Sequence, residues 1–218
     1  MANDLRQRLS RLDSCVVSDA LDKLGFYGVA PGLARLSTDQ KLTGRVLTVK
    51  LETANGRMAE RHLCTAAIEA AAPGDIIVVE HHSRADCAGW GGLLSRAALV
   101  QKVQGVIVDG LCRDIDEGRE IGFPIFARGV IPSTARGRIV ETAFNCPVTV
   151  GEVTVRPGDW VIADGSGVVF VAVENIEAVL DQAEKLVARE ATLLKEIEAG
   201  VPVSKVMSRT YEHMTQKD

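Results

Sequence analysis

Two short stretches hold residue types that could do chemistry together. The first is Gly89-Trp-Gly-Gly followed by Leu93-Leu94, and the second is Arg113-Asp114. Each falls where a strand passes through a loop into a helix. Helix-opening amides have no intrahelical acceptor, and the helix dipole adds partial positive charge there. A carboxylate or phosphate would therefore sit well at Gly91, Gly92, Leu93 and Leu94. Glycines at that point let a ligand approach the backbone closely. Arg113 offers a planar fork that matches a carboxylate, and Asp114 offers hard oxygens for Mg²⁺ or Mn²⁺. Together they make an anion hole beside a divalent-metal ligand, beyond the carboxyl ends of strands, where α/β sheets collect their ligands. The same residues also have plainer uses: glycines as a turn, Asp114 as a helix cap, Arg113 as a surface residue. Residue types alone leave both readings open.

Other candidates carry less. Gly89-x-Gly91 is not a dinucleotide fingerprint, because position 94 is Leu. Neither a phosphate-loop motif nor H-E-x-x-H occurs, and Gly165-Ser-Gly167 reads as a hairpin turn. His81-His82 follows a strand end and fits packing or solvent better than a site. Cys112 lies beside Arg113 without a placed histidine, and Lys102 has no partner suggesting a Schiff base. Asp116, Glu117 and Glu120 look like a solvated helix face, with Glu117 also placed to back Asp114.

A net charge of −4 argues against nucleic acid, which needs a basic face. The longest purely apolar run, Val168–Val173, is far short of the ~20 residues of a membrane helix. The N-terminal residues include no apolar stretch suited to a signal peptide. Cys15, Cys64, Cys87, Cys112 and Cys146 are odd in number and scattered, which favours reduced thiols over a disulfide framework or zinc site. The expectation is a cytoplasmic protein.

The elements that must position these residues are readable in outline. Leu5–Leu24 predicts two short helices, with Leu5, Leu9 and Leu12 at helical spacing and Ser18-Asp19 as a start signal. Gly44–Leu51 alternates like a half-buried strand, and Arg57–Ala72 reads as a helix ended by Pro73-Gly74. Ile76–Glu80, Gly105–Asp109 and Pro124–Ala127 read as strands, alternating with helices over Gly92–Val103 and Asp114–Ile121. Arg138–Val173 is a run of short strands. Ile176–Ala199 is the clearest helix, with Asn175 as cap and a stripe of Ile176, Val179, Leu180, Ala183, Leu186, Val187, Leu194 and Ile197. Pro-Gly-Asp occurs twice, at Pro73–Asp75 and Pro157–Asp159, as turn chemistry that launches a strand. One α/β domain over residues 1–218 is expected, with a core over 15–173 and a C-terminal helix over 176–199.

A family resemblance joins these readings. Gly91-Gly-Leu-Leu94, then Gly105-x-x-x-Asp109-Gly-x-x-Arg113-Asp114-x-x-Glu117, resembles the RraA-like family, which includes metal-dependent (class II) pyruvate aldolases. Pro147–Ala163 and Asp164-Gly-x-Gly-Val168 resemble it as well. The resemblance implies an α/β/α sandwich of the swivelling type with a mixed sheet, assembled as a homotrimer or homohexamer. It implies that Gly91–Leu94 and Arg113 bind a pyruvyl group and that Asp114 holds Mg²⁺ or Mn²⁺. The implied reaction cleaves a small 4-hydroxy-2-oxo acid to pyruvate and a second oxo acid, with oxaloacetate decarboxylation as a side activity. The aldolases carry an acid where this chain has Gly92. They also use an acid from a neighbour's C-terminal helix, for which Glu184, Glu190 and Glu196 are the available counterparts. Another branch comprises non-catalytic regulators of a ribonuclease, shorter and without the metal-binding aspartate. Asp114 and the long C-terminal helix favour the lyase.

Overall fold

Strands that read as unbroken apolar runs must be buried on both faces, and the architecture supplies that burial. The structure is a computed structural model that describes residues 2–207. Helices α1 (Ala2–Ser10) and α2 (Ser14–Leu24) lead into two short strands, β1 (Val29–Ala30) and β2 (Ala34–Arg35). A long strand β3 (Leu42–Thr53) precedes α3 (Thr65–Ala70), β4 (Ile76–Glu80), β5 (Ala88–Trp90) and α4 (Gly92–Val100). Next come β6 (Gly105–Cys112), α5 (Ile115–Glu120) and β7 (Ile125–Val130). Strands β8 (Ile139–Phe144), β9 (Val148–Val150), β10 (Val153–Val155), β11 (Trp160–Ala163) and β12 (Val168–Val171) follow, then α6 (Ile176–Glu198) and α7 (Val203–Val206).

The main sheet runs β1-β12-β11-β3-β4-β6-β7-β2, with β5 added to β6 and β8 to β3. Strands β3, β4, β6 and β7 are parallel; β11, β12, β1 and β2 join antiparallel. The sheet is mixed and curled, so three cores form. Ile77 and Val79 of β4 face a core under α3, α4 and α5, while Ile76 and Val78 face the concave interior with the β9–β10 hairpin. Likewise Trp160 and Ile162 of β11 pack against α1, α2 and α6, while Val161 and Ala163 turn inward. Alternate residues thus serve different cores. The expected α/β/α layering is present, with the sheet curled between its helices.

Several expectations need correction. Helix α2 starts at Ser14, not at Ser18-Asp19, because the Asp13 carboxylate accepts from Val16 N at 2.9 Å. Only Thr65–Ala70 of the Arg57–Ala72 stretch is helical. Asn55 and Gly56 both take positive φ, Arg57 folds back onto Thr53 O at 2.7 Å, and Glu141 holds Cys64 N at 2.6 Å. A loop pinned by a distant strand has replaced the amphipathic pattern. Helix α4 stops at Val100, where Lys102 turns left-handed at φ 61°. Asn175 makes no side-chain cap bond. In α6 the stripe is buried only through Leu186; Val187 and Leu194 are exposed because the helix outruns the core. Both Pro-Gly-Asp turns use one chemistry, with Asp75 accepting from Ala72 N at 2.9 Å and Asp159 from Arg156 N at 2.7 Å. Among the described residues no helix is long and apolar enough to cross a membrane, and all five cysteines are free.

Candidate active site

The two strand-to-helix passages lie side by side because β5 pairs with β6. Trp90 ends β5, 2% exposed, and fixes the first passage. Its ring stacks on Phe123 with centroids 6.2 Å apart. Its Nε1 donates to Ser95 Oγ at 2.9 Å, and Arg113 N donates to Trp90 O at 3.0 Å. The second passage is therefore tied to the first by a backbone bond. An indole with its N–H satisfied is a rigid anchor, so the Gly91–Leu94 backbone has little freedom.

Asp114 is the focus of the second passage. It stands at the start of α5 with φ 58° and ψ 37°, a left-handed conformation rare for a side-chain-bearing residue. It does not cap its own helix. Its Oδ2 instead accepts from Gly92 N at 2.9 Å and from Arg113 Nε at 3.2 Å. One opening amide of α4 is thus already taken by a carboxylate of the protein. The amides of Leu93 and Leu94 are those that helix geometry leaves for a ligand. The Arg113 and Asp114 side chains stay 40% and 38% exposed, so both remain accessible.

The glycines have a reason beyond ligand approach. A Cβ on Gly91 would meet Asp114 Oδ2 at 2.9 Å, and a Cβ on Gly92 would meet Glu117 Oε2 at 1.8 Å. The site's own acids fold over this backbone. Glu117 in turn accepts a hydrogen bond from Arg96 of α4.

Around these groups is an open cleft, about 680 Å³ when the solvent at its mouth is counted. Gly91, Gly92, Leu93, Leu94, Arg113 and Asp114 all line it, together with Glu117. The structure thus brings together every residue singled out for the site. His62, Leu63, Thr134, Ala135 and Arg136 also line the cleft, and sequence reading missed them. The Asn55-Gly56 turn pair was the available signal that this segment is loop, not helix.

The weaker candidates fall elsewhere. His81 is fully buried, its Nε2 3.8 Å from Cys87 Sγ, and burial holds its pKa down to about 4. His82 is exposed. Burial pushes the Cys112 thiol well up, which leaves it a poor nucleophile. Glu184 is engaged by Arg8 of its own chain at 2.8 Å. Burial and the nearby Asp19 raise the Glu190 pKa, while Glu196 is exposed.

Fold and cleft define an α/β protein with an uncapped helix start and an accessible carboxylate at the carboxyl edge of a parallel sheet segment. The chain belongs to the RraA-like family, described as Aldolase/RraA, whose model matches residues 14–170. It is 27% identical over 197 residues to protein DlpA of Legionella pneumophila, covering 90% of this chain but only 32% of that protein. The chain thus spans about a third of that relative's length. It is 28% identical to a Halalkalibacterium halodurans protein provisionally named a 4-hydroxy-4-methyl-2-oxoglutarate aldolase, covering 84% of this chain and 83% of that one. Among solved structures, Streptomyces coelicolor RraAS2 matches with TM-score 0.80 and 29% identity, over 87% of this chain and 94% of that one. Its description calls it an unusual member of the RNase ES inhibitor RraA protein family.

Proposed function

We propose that the chain is a divalent-metal-dependent carbon–carbon lyase that cleaves a small 4-hydroxy-2-oxo acid to pyruvate and a second oxo acid. The observation that carries this reading is Asp114, held in a left-handed conformation and turned away from its own helix into the cleft. The donor chemistry fits a hard cation. Asp114 Oδ2 is engaged by Gly92 and Arg113 while the carboxylate stays accessible, and Mg²⁺ commonly binds through one or two carboxylates and keeps several waters.

Asp114 would hold Mg²⁺ or Mn²⁺, which when bound supplies Lewis-acid polarisation of a keto oxygen. The protein's own groups do the rest. The Leu93 and Leu94 amides receive the substrate carboxylate at the start of α4. The Arg113 guanidinium lies against the oxygen that gains charge as the carbon–carbon bond breaks, and fixed charge of this kind lowers a barrier by several kcal/mol. Oxaloacetate decarboxylation develops charge at the same oxygen, so it is the expected side activity. The same reading makes the protein a cytoplasmic homotrimer or homohexamer. Exposed Leu93, Val100 and Val130 supply apolar surface for that assembly.

The second reading, a non-catalytic regulator of a ribonuclease, is favoured by the likeness to RraAS2. Pyruvate release separates the two. It is measured from oxaloacetate and from 4-hydroxy-4-methyl-2-oxoglutarate with Mg²⁺, with Mn²⁺ and with chelator. Metal-dependent release supports the lyase; silence with both substrates and both metals favours the regulator.

A further inference from the structure

Glu117 is the acid of the cleft that the reading above leaves without a task. It lies in the first turn of α5, after Asp114, and one of its oxygens is held by Arg96 of α4. Its Oε2 takes no hydrogen bond among those described, and the residue lines the cleft. The side chain is 31% exposed, so the carboxylate is partly shielded yet open to a ligand.

Its position relative to Gly92 is the telling feature. A Cβ on Gly92 would fall 1.8 Å from Glu117 Oε2 and 2.6 Å from its Cδ. The Glu117 carboxylate therefore occupies the volume in which a side chain of residue 92 would stand. Gly92 is not among the glycines with positive φ, so its backbone does not require glycine. The end of the Glu117 side chain fills the space beside it. An acid carried by α5 reaches the mouth of α4 because α4 has no side chain there. The Arg96 bond fixes the carboxylate in that place at the cost of one of its two oxygens.

We propose that Glu117 is the proton-transferring carboxylate of this site, delivered from α5 across the gap left by Gly92. The proposal rests on the lyase reading. Glu117 Oε2 takes the proton of the substrate's C4 hydroxyl. The O–H electron pair becomes the second bond of the new C4 carbonyl. The C3–C4 bond breaks, and its pair forms the C2–C3 double bond while the C2 carbonyl pair moves onto oxygen. Glu117 then returns the proton to C3, which yields pyruvate and restores the carboxylate. No oxidant or reductant enters. Oxaloacetate decarboxylation needs no hydroxyl proton removed, so it depends on Glu117 less.

The test uses the full chain with Mn²⁺ and measures kcat and KM for both substrates in the wild type, Glu117→Gln, Glu117→Ala and the Glu117→Ala/Gly92→Asp pair. In Glu117→Gln, kcat for 4-hydroxy-4-methyl-2-oxoglutarate should fall on the order of 100-fold, the usual worth of a positioned general base. KM should stay within a few-fold, and decarboxylation should fall less. The double variant, which returns a carboxylate from α4, should regain about tenfold over Glu117→Ala, or ~1.4 kcal/mol of barrier. Cleavage by Glu117→Gln at the wild-type rate would overturn the proposal while leaving the lyase reading intact. So would equal losses in both reactions with a raised KM, which mark a purely structural role. A wild type silent with both substrates would overturn the lyase reading itself, and this proposal with it.

Discussion

Two helices in this molecule begin with an aspartate, and the two aspartates behave oppositely. Asp13 precedes α2 in an extended conformation, φ −114° and ψ 170°, and its carboxylate accepts from Val16 N within its own helix. Asp114 precedes α5 at φ 58° and makes no such bond. It reaches across to Gly92 N at the start of another helix, α4, and keeps its carboxylate accessible in a cleft. A cap satisfies an orphan amide and so stabilises a helix by about 1 kcal/mol. Asp114 gives up that local gain and adopts a conformation that costs of order 1–3 kcal/mol in a non-glycine residue. Residue type and position at a helix start therefore do not separate structure from function. What separates them is where the carboxylate points and whether the backbone is strained to point it there.

The largest expected contrast comes from removing each carboxylate. Asp114→Ala should lower metal-dependent pyruvate release by about 1,000-fold, since metal polarisation supplies several kcal/mol. Asp13→Ala should leave release unchanged and cost about 1 kcal/mol of stability in a denaturant titration. Steady-state kinetics and melts on both variants check the pair, and equal effects would erase the distinction.

A buried histidine next to the cleft residue Gly89 should add an acid sensitivity of its own. His81 at the end of β4 is packed between Gly89 and Gly110, with its Nδ1 unpartnered, and burial lowers its pKa from 6.5 to about 4. A folded-state pKa below the unfolded value means the unfolded chain binds the proton first. Stability is then full above pH 6.5 and declines as pH falls toward 4, by up to about 3 kcal/mol. Urea titrations across that window should show the decline, and His81→Gln should flatten it.

Smaller effects sharpen the geometry of the site. Arg113→Lys keeps the charge but loses the planar fork, and should lower kcat for oxaloacetate about tenfold with KM little changed, near the worth of one charge-assisted hydrogen bond. Trp90→Phe keeps the stack on Phe123 but loses the bond to Ser95 Oγ. It should cost about 1 kcal/mol in a melt.

Much of this arrangement was legible in the residues. Short runs such as Ile76–Glu80 and Gly105–Asp109 declare buried strands because each faces two cores at once. Gly91–Leu94, Arg113 and Asp114 do meet in one cleft. What was not legible depends on contacts distant in sequence. The His62–Leu63 wall exists because Glu141 of β8 pins Cys64, overriding a helix-like pattern. The space beside Gly92 is filled by Glu117 from a different helix. The ordinary cap reading of Asp114 failed for the same reason, since its acceptor role is set by the neighbouring helix.

Asp114, and not a carboxylate at just any helix start, is the residue proposed to hold a divalent ion. Mn²⁺ affinity, measured by electron paramagnetic resonance on the wild type, Asp114→Ala and Asp13→Ala, tests it without any substrate. Asp13→Ala should bind Mn²⁺ as the wild type does, and Asp114→Ala should lose the site. Equal affinity in all three, or no binding by the wild type, would contradict it.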